Sequence, residues 1–61
     1  MLKLIAQQVN VKPQQADAVI KLLEDGNTVP FIARYRKEVT DSLDEVQIKA
    51  IEDLYHYIQQ L

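Results

Sequence analysis

The chain has 61 residues, 48% of them apolar, and its seven Lys and Arg stand against nine Asp and Glu for a net charge of −2. A domain this small buries only about 60% of the surface its unfolded chain exposes, enough for one small core but not for a deep, lidded pocket, which disfavours an enzyme. The absence of cysteine excludes a disulfide framework and a thiolate metal site, the single His56 argues against zinc, and no apolar run reaches the roughly 20 residues of a membrane span, so the chain reads as soluble and cytoplasmic, with no cofactor.

Leu2, Ile5 and Val9 stand at i, i+3 and i+7 and predict a short first helix that exits at Asn10 and Val11. The opening Met1 to Ala6 is interrupted too soon to be a signal peptide. Pro13 suits the first turn of a second helix, in which Ala16, Val19, Ile20 and Leu23 repeat on one face. Gly26, the only glycine, supplies the left-handed residue that commonly closes a helix. Thr28 is the expected N-cap of a short third helix, with Phe31, Ile32, Tyr35 and Val39 on one side and an end near Lys37. Asp41 or Ser42 then opens a fourth helix, and Ser42 followed by Glu45 matches a capping box.

The fourth helix carries two apolar stripes. Leu43, Val46, Ala50, Leu54, Tyr57 and Leu61 form one, and Ile48, Ile51, Tyr55 and Ile58 form a second beside it. Together they span roughly 200° of the helix circumference, where packing on one core needs a stripe only somewhat wider than 100°. The second stripe therefore predicts a docking surface for the remaining domains of a longer chain, with a homodimer seam as the alternative. The last residues offer no glycine, proline or cationic turn, so the helix is expected to continue and the chain to be a fragment.

Charge is unevenly distributed. Residues 1–28 are neutral overall, residues 29–40 carry +2 from Arg34, Arg36 and Lys37 against Glu38, and residues 41–61 carry −4. A nucleic-acid contact must centre on the middle segment, because the last third repels phosphate. Catalytic arrangements fail on inventory: Ser42, the only serine, is explained as a cap, and His56 falls on the polar face of the fourth helix. Asp44 and Glu45 suit a helix N-terminus, but Glu24 and Asp25 end the second helix, where the dipole disfavours them. An ion pair from an arginine of the third helix to one of these carboxylates is expected.

Residues 13–37 have helix-turn-helix form, with one difficulty. The residues that would face base edges are Val29, Pro30, Phe31 and Ile32, none with a polar side chain, so the start of that helix reads as buried and sequence-specific readout is disfavoured. Backbone contact through Arg34, Arg36 and Lys37, with help from Lys12 or Lys21, stays open. The same cations also suffice to offset Glu24, Asp25, Glu38 and the dipole of the third helix, and Tyr35 reads as core rather than as a stacking platform.

The run from Leu22 to Thr40, with Gly26-Asn27-Thr28-Val29-Pro30-Phe31-Ile32-Ala33-Arg34-Tyr35-Arg36-Lys37-Glu38 at its centre, and then Leu43-Asp44-Glu45, closely resembles the N-terminal signature of Tex-type transcription accessory proteins; residues 1–24 match more loosely. Asp41-Ser42 departs from the pattern, standing where small glycine-rich turns are expected. The resemblance implies the N-terminal end of a much longer protein, related to a eukaryotic transcription elongation factor. Such proteins carry a helix-turn-helix-like N-terminal region, a nuclease-fold domain thought inactive, helix-hairpin-helix elements and a C-terminal RNA-binding barrel. The implied role is nucleic-acid binding in transcription, attributed mainly to the C-terminal domains, with no catalytic residue to carry over. The reading of the chain is therefore an all-α, four-helix small domain with a helix-turn-helix-like core and a longer fourth helix. Its role is chiefly interdomain docking, and direct binding of DNA or RNA through Arg34, Arg36 and Lys37 is the alternative.

Overall fold

The computed structural model describes residues 2–60, and these are all-helical: α1 (Leu2–Val9), α2 (Pro13–Glu24), α3 (Val29–Tyr35), α4 (Lys37–Thr40) and α5 (Glu45–Gln59). Five helices stand where four were expected. The third divides at Arg36, whose φ of −126° and ψ of 31° lie outside the helical region, and the single turn α4 follows. The division lets α4 fold back on α2 rather than run on from α3. Thr40 is thereby wholly buried, and its carbonyl accepts a hydrogen bond from Gln15 Nε2 at 3.1 Å.

Helix ends follow from backbone requirements. α2 closes in a Schellman motif: Gly26 sits at φ 97°, its N–H reaches the Leu23 carbonyl at 3.0 Å, and the Asn27 N–H reaches that of Leu22 at 3.1 Å. Asn10, at φ 65°, closes α1 in the same manner, with the Val11 N–H on the Ala6 carbonyl at 2.9 Å. Thr28 caps α3 as expected, its Oγ1 accepting from the Phe31 N–H at 3.3 Å. The cap of α5 is Asp44 and not Ser42: Asp44 Oδ1 accepts from the Gln47 N–H at 2.8 Å, and Gln47 Oε1 accepts from the Asp44 N–H at 3.1 Å. Asp41 and Ser42 instead form a left-handed turn, at φ 58° and 67°, whose Ser42 N–H bonds the Lys37 carbonyl at 2.8 Å.

The core gathers Ile5 and Ala6 of α1, Ala16, Val19 and Ile20 of α2, Val29 and Ile32 of α3, and Ile48, Ile51 and Tyr55 of α5, with Leu43 from the preceding turn. α5 packs on α1, α2 and α3, so it is the common wall of the domain. This corrects the assignment of its two stripes. Ile48 and Ile51 are fully buried and Tyr55 nearly so, while Ile58 is half-buried against the core, so the set expected to dock elsewhere is the core face. Of the stripe expected in the core, Leu43 is buried, Ala50 and Leu54 are half-buried, and Val46 and Tyr57 are 78% and 61% exposed. Leu61, its last member, lies outside the described residues, as does the Leu2 side chain expected on the apolar edge of α1. The physical reason lies in the neighbours: α1, α2 and α3 close over the side of α5 that carries Ile48 and Ile51, and enclosing those two isoleucines is the gain of that packing.

The expected ion pair to the end of α2 is absent among the described residues within 4 Å. Glu24 instead accepts the Tyr55 hydroxyl at 2.6 Å, which joins the end of α2 to α5. That carboxylate, together with burial, raises the Tyr55 phenol above its ordinary value, because both disfavour a phenolate there.

Two stability predictions follow from these contacts. Ser42 occupies a left-handed torsion that costs a non-glycine residue roughly 1–2 kcal/mol, of which glycine's extra chain entropy returns about half. Ser42→Gly is expected to stabilise the domain by about 0.5–1 kcal/mol and raise its melting temperature by several degrees in calorimetry. For Tyr55 the folded pKa lies above the unfolded one, so its contribution is complete below about pH 10 and is lost as pH rises through the folded value. Tyr55→Phe should therefore melt below the parent at neutral pH, and the gap should narrow above pH 10; a gap unchanged to the alkaline limit would contradict the Glu24 contact.

Candidate nucleic-acid interface

Arg34, Arg36 and Lys37 lie at the junction of α3 and α4, and the structure brings them together with two aromatic rings. Pro30 sets the first turn of α3, and Val29 and Ile32 anchor that helix in the core. With those two turned inward, Phe31 and Tyr35, one turn apart, are left on the outer surface at 37% and 54% exposure. The start of α3 is thus half core and half surface, not wholly buried, and Tyr35 is not the core residue expected; Val39, grouped with it, is also exposed. The helical spacing put Phe31 and Tyr35 on one side correctly, but Ile32 alone of that set turns to the core.

The rings of Phe31 and Tyr35 lie 5.1 Å apart at an interplanar angle of 49°. The Arg36 guanidinium carbon stands 5.0 Å from the Phe31 ring centre, and that of Arg34 stands 6.0 Å from the Tyr35 ring centre, both within cation–π range. Arg36 also donates from Nη1 to the Tyr35 carbonyl at 3.1 Å. The order in space is arginine, ring, ring, arginine. Helix spacing alone supplies the central pair, and the break at Arg36 turns its side chain back over Phe31.

None of Arg34, Arg36 or Lys37 forms an ion pair within 4 Å among the described residues. Their charge is consequently not consumed by Glu24, Asp25 or Glu38 at contact distance. Lys12 and Lys21, considered as helpers, are engaged elsewhere: Lys21 Nζ lies 3.0 Å from Asp17, and Lys12 Nζ lies 3.9 Å from Asp41. Phe31, Arg34, Tyr35 and Lys37 line a shallow surface depression whose far wall carries Glu45. Such a surface offers planar faces and positive charge, with no nucleophile or acid–base pair. His56 is exposed on α5, no group of three or more acidic, histidine or cysteine residues among the described residues is placed to hold a metal, and no helix is long and apolar enough to cross a membrane.

The chain is 58% identical over 57 residues to YdcI of Bacillus subtilis, a match that covers 93% of this chain and 8% of that protein. It is 48% identical over 59 residues to YhgF of Escherichia coli, and 42% identical over 59 residues to the transcriptional accessory protein Tex of Neisseria gonorrhoeae; each match covers 97% of this chain and 8% of the relative. The chain thus spans only a small part of the length of the curated relatives it matches. No solved structure matches it. The signature that folds into α3 and its aromatic stack falls inside a match to the Tex-like protein N-terminal domain that runs over residues 1–61, and the chain belongs to that family.

Proposed function

We propose that this domain is the N-terminal helical module of a nucleic-acid-binding transcription accessory protein, chiefly structural, and that it adds a weak, sequence-independent contact through Arg34, Arg36 and Lys37. The observation that carries the contact is the surface stack of Arg36, Phe31, Tyr35 and Arg34, exposed but for a half-buried Arg36. Arginines held over rings are ordered before a ligand arrives, so less side-chain entropy is lost on binding a phosphate. The planar guanidinium groups at the two ends of the stack, and the exposed parts of the rings, take unpaired bases irrespective of sequence, at about 1–3 kcal/mol per stacked base. Single strands are therefore favoured over duplex. Membership in the Tex family supports the transcriptional setting.

Direct reading of a duplex by a helix-turn-helix is the weaker version of this function. α2 and α3 have the required connectivity, but the exposed residues at the start of α3 are Pro30 and Phe31, which present no donor or acceptor to a base edge.

Titration of labelled single-stranded and duplex oligonucleotides at low salt tests the reading. Three phosphate contacts on a single strand give a slope of about −2.1 in log affinity against log salt. The variant Arg34→Ala/Arg36→Ala is expected to weaken binding by about tenfold or more and to flatten that slope. Tyr35→Ala should weaken single-strand binding by about fivefold or more and leave the slope intact. Equal binding by the arginine variant, or no binding at high micromolar protein, would sink the proposal.

A further inference from the structure

We infer that the outward face of α5, formed by Val46, Ala50, Leu54 and Tyr57, is covered in the complete protein by an apolar helix edged with lysine or arginine that the rest of that protein supplies. The inference rests on the domain being one part of a longer chain and is independent of the nucleic-acid contact. At 100° per residue the four side chains fall within about 80° of the helix circumference and run for three turns, about 16 Å. Among the described residues Val46 and Tyr57 are the most exposed large apolar side chains, at 78% and 61%, with Ala50 and Leu54 half-buried between them. A helix that served only its own core would carry polar residues there. The straight ridge fits the groove of another helix better than it fits a flat sheet.

Charge selects the occupant. Beside this face on α5 run Asp53, Lys49, Glu45 and Glu52. The one cation is already engaged, since Lys49 Nζ lies 3.0 Å from Asp53 and 3.2 Å from Glu52. The edge is acidic as a whole, and a partner bearing lysine or arginine along its own edge complements it. A second copy of this chain would set two such acidic edges near each other in a molecule of net charge −2, and like charges across an interface are disfavoured. The matched segment makes up only 8% of the relatives compared above, so most of such a protein is available to provide the covering helix.

Thiol labelling of the complete protein tests this directly. Val46→Cys is compared with Gln14→Cys, an exposed position on α2, using a water-soluble maleimide and a peptide-level mass readout. Val46→Cys is expected to react about tenfold more slowly than Gln14→Cys in the native protein, and at the same rate in urea. That protection should persist on dilution, and adding Asp53→Lys should speed labelling of Cys at position 46 severalfold. Equal native labelling of the two positions would overturn the covered face. Protection that fades on dilution would assign the face to a second copy, and indifference to Asp53→Lys would overturn the cationic edge; each outcome is readable whether or not the domain binds nucleic acid.

Discussion

The domain depends on the burial of one face of α5. Ile48 and Ile51 are wholly enclosed and Tyr55 nearly so, and α1, α2 and α3 all pack against this helix. Each fully buried isoleucine is worth roughly 1.5–3 kcal/mol relative to exposure, a large share of the stability a domain of this size can hold. Because α5 is the common wall, its orientation settles what every other element presents to solvent. Turning the isoleucines inward leaves Val46 and Tyr57 outside and brings Tyr55 to Glu24.

α4 is the exception, since it packs on α2 and α3 and not on α5. It is held by polar contacts that converge on Gln15, whose Oε1 accepts from the Lys12 N–H at 2.8 Å and whose Nε2 donates to the Thr40 and Asp41 carbonyls at 3.1 and 3.4 Å. One side chain thus shapes the start of α2 and satisfies the end of α4. With Asp41 and Ser42 in left-handed torsions next to it, this corner holds backbone strain where glycine would relieve it. The family resemblance led to the expectation of a glycine-rich turn at this position, and the torsions give that expectation a physical basis.

Features that answer a local backbone need were legible in the sequence. Pro13 opens α2, Gly26 closes it and Thr28 caps α3, since each choice depends on torsions and hydrogen bonds within a few residues. The excess apolar arc of α5 was legible too, but not which part of it faces inward, because both stripes are apolar and the choice is made by distant helices. The same limit applies at the basic segment. Arg34, Arg36 and Lys37 stood out by charge and Phe31 with Tyr35 by spacing, yet their exposure depends on Ile32 taking the single core position of that turn. Ser42 does not cap α5 because it is held in a left-handed turn at φ 67°, whereas Asp44 has the extended torsions of a cap, φ −88° and ψ 174°. The hold of Gln15 on α4 left no mark in the sequence, since the carbonyls that its Nε2 reaches are 25 and 26 residues away.

The two surfaces left by this packing differ in how they are held, and the difference bears on what each can do. The aromatic and basic surface is built on α3, a two-turn helix pinned by Val29 and Ile32, and its arginines are fixed by ring contacts and one carbonyl bond. Such a surface suits a ligand that approaches and leaves, because its charges face water without a protein counter-ion at contact distance. The face of α5 is built on the longest helix of the domain and is apolar at its centre, so leaving it wet carries a standing cost that a permanent partner removes. α3 packs on α5, and Glu45 of α5 forms part of the depression beside Tyr35. Cations on the edge of a helix seated along α5 would therefore meet Glu45, and so offset the one negative side chain that lines the Arg34 and Tyr35 depression rather than compete with that surface.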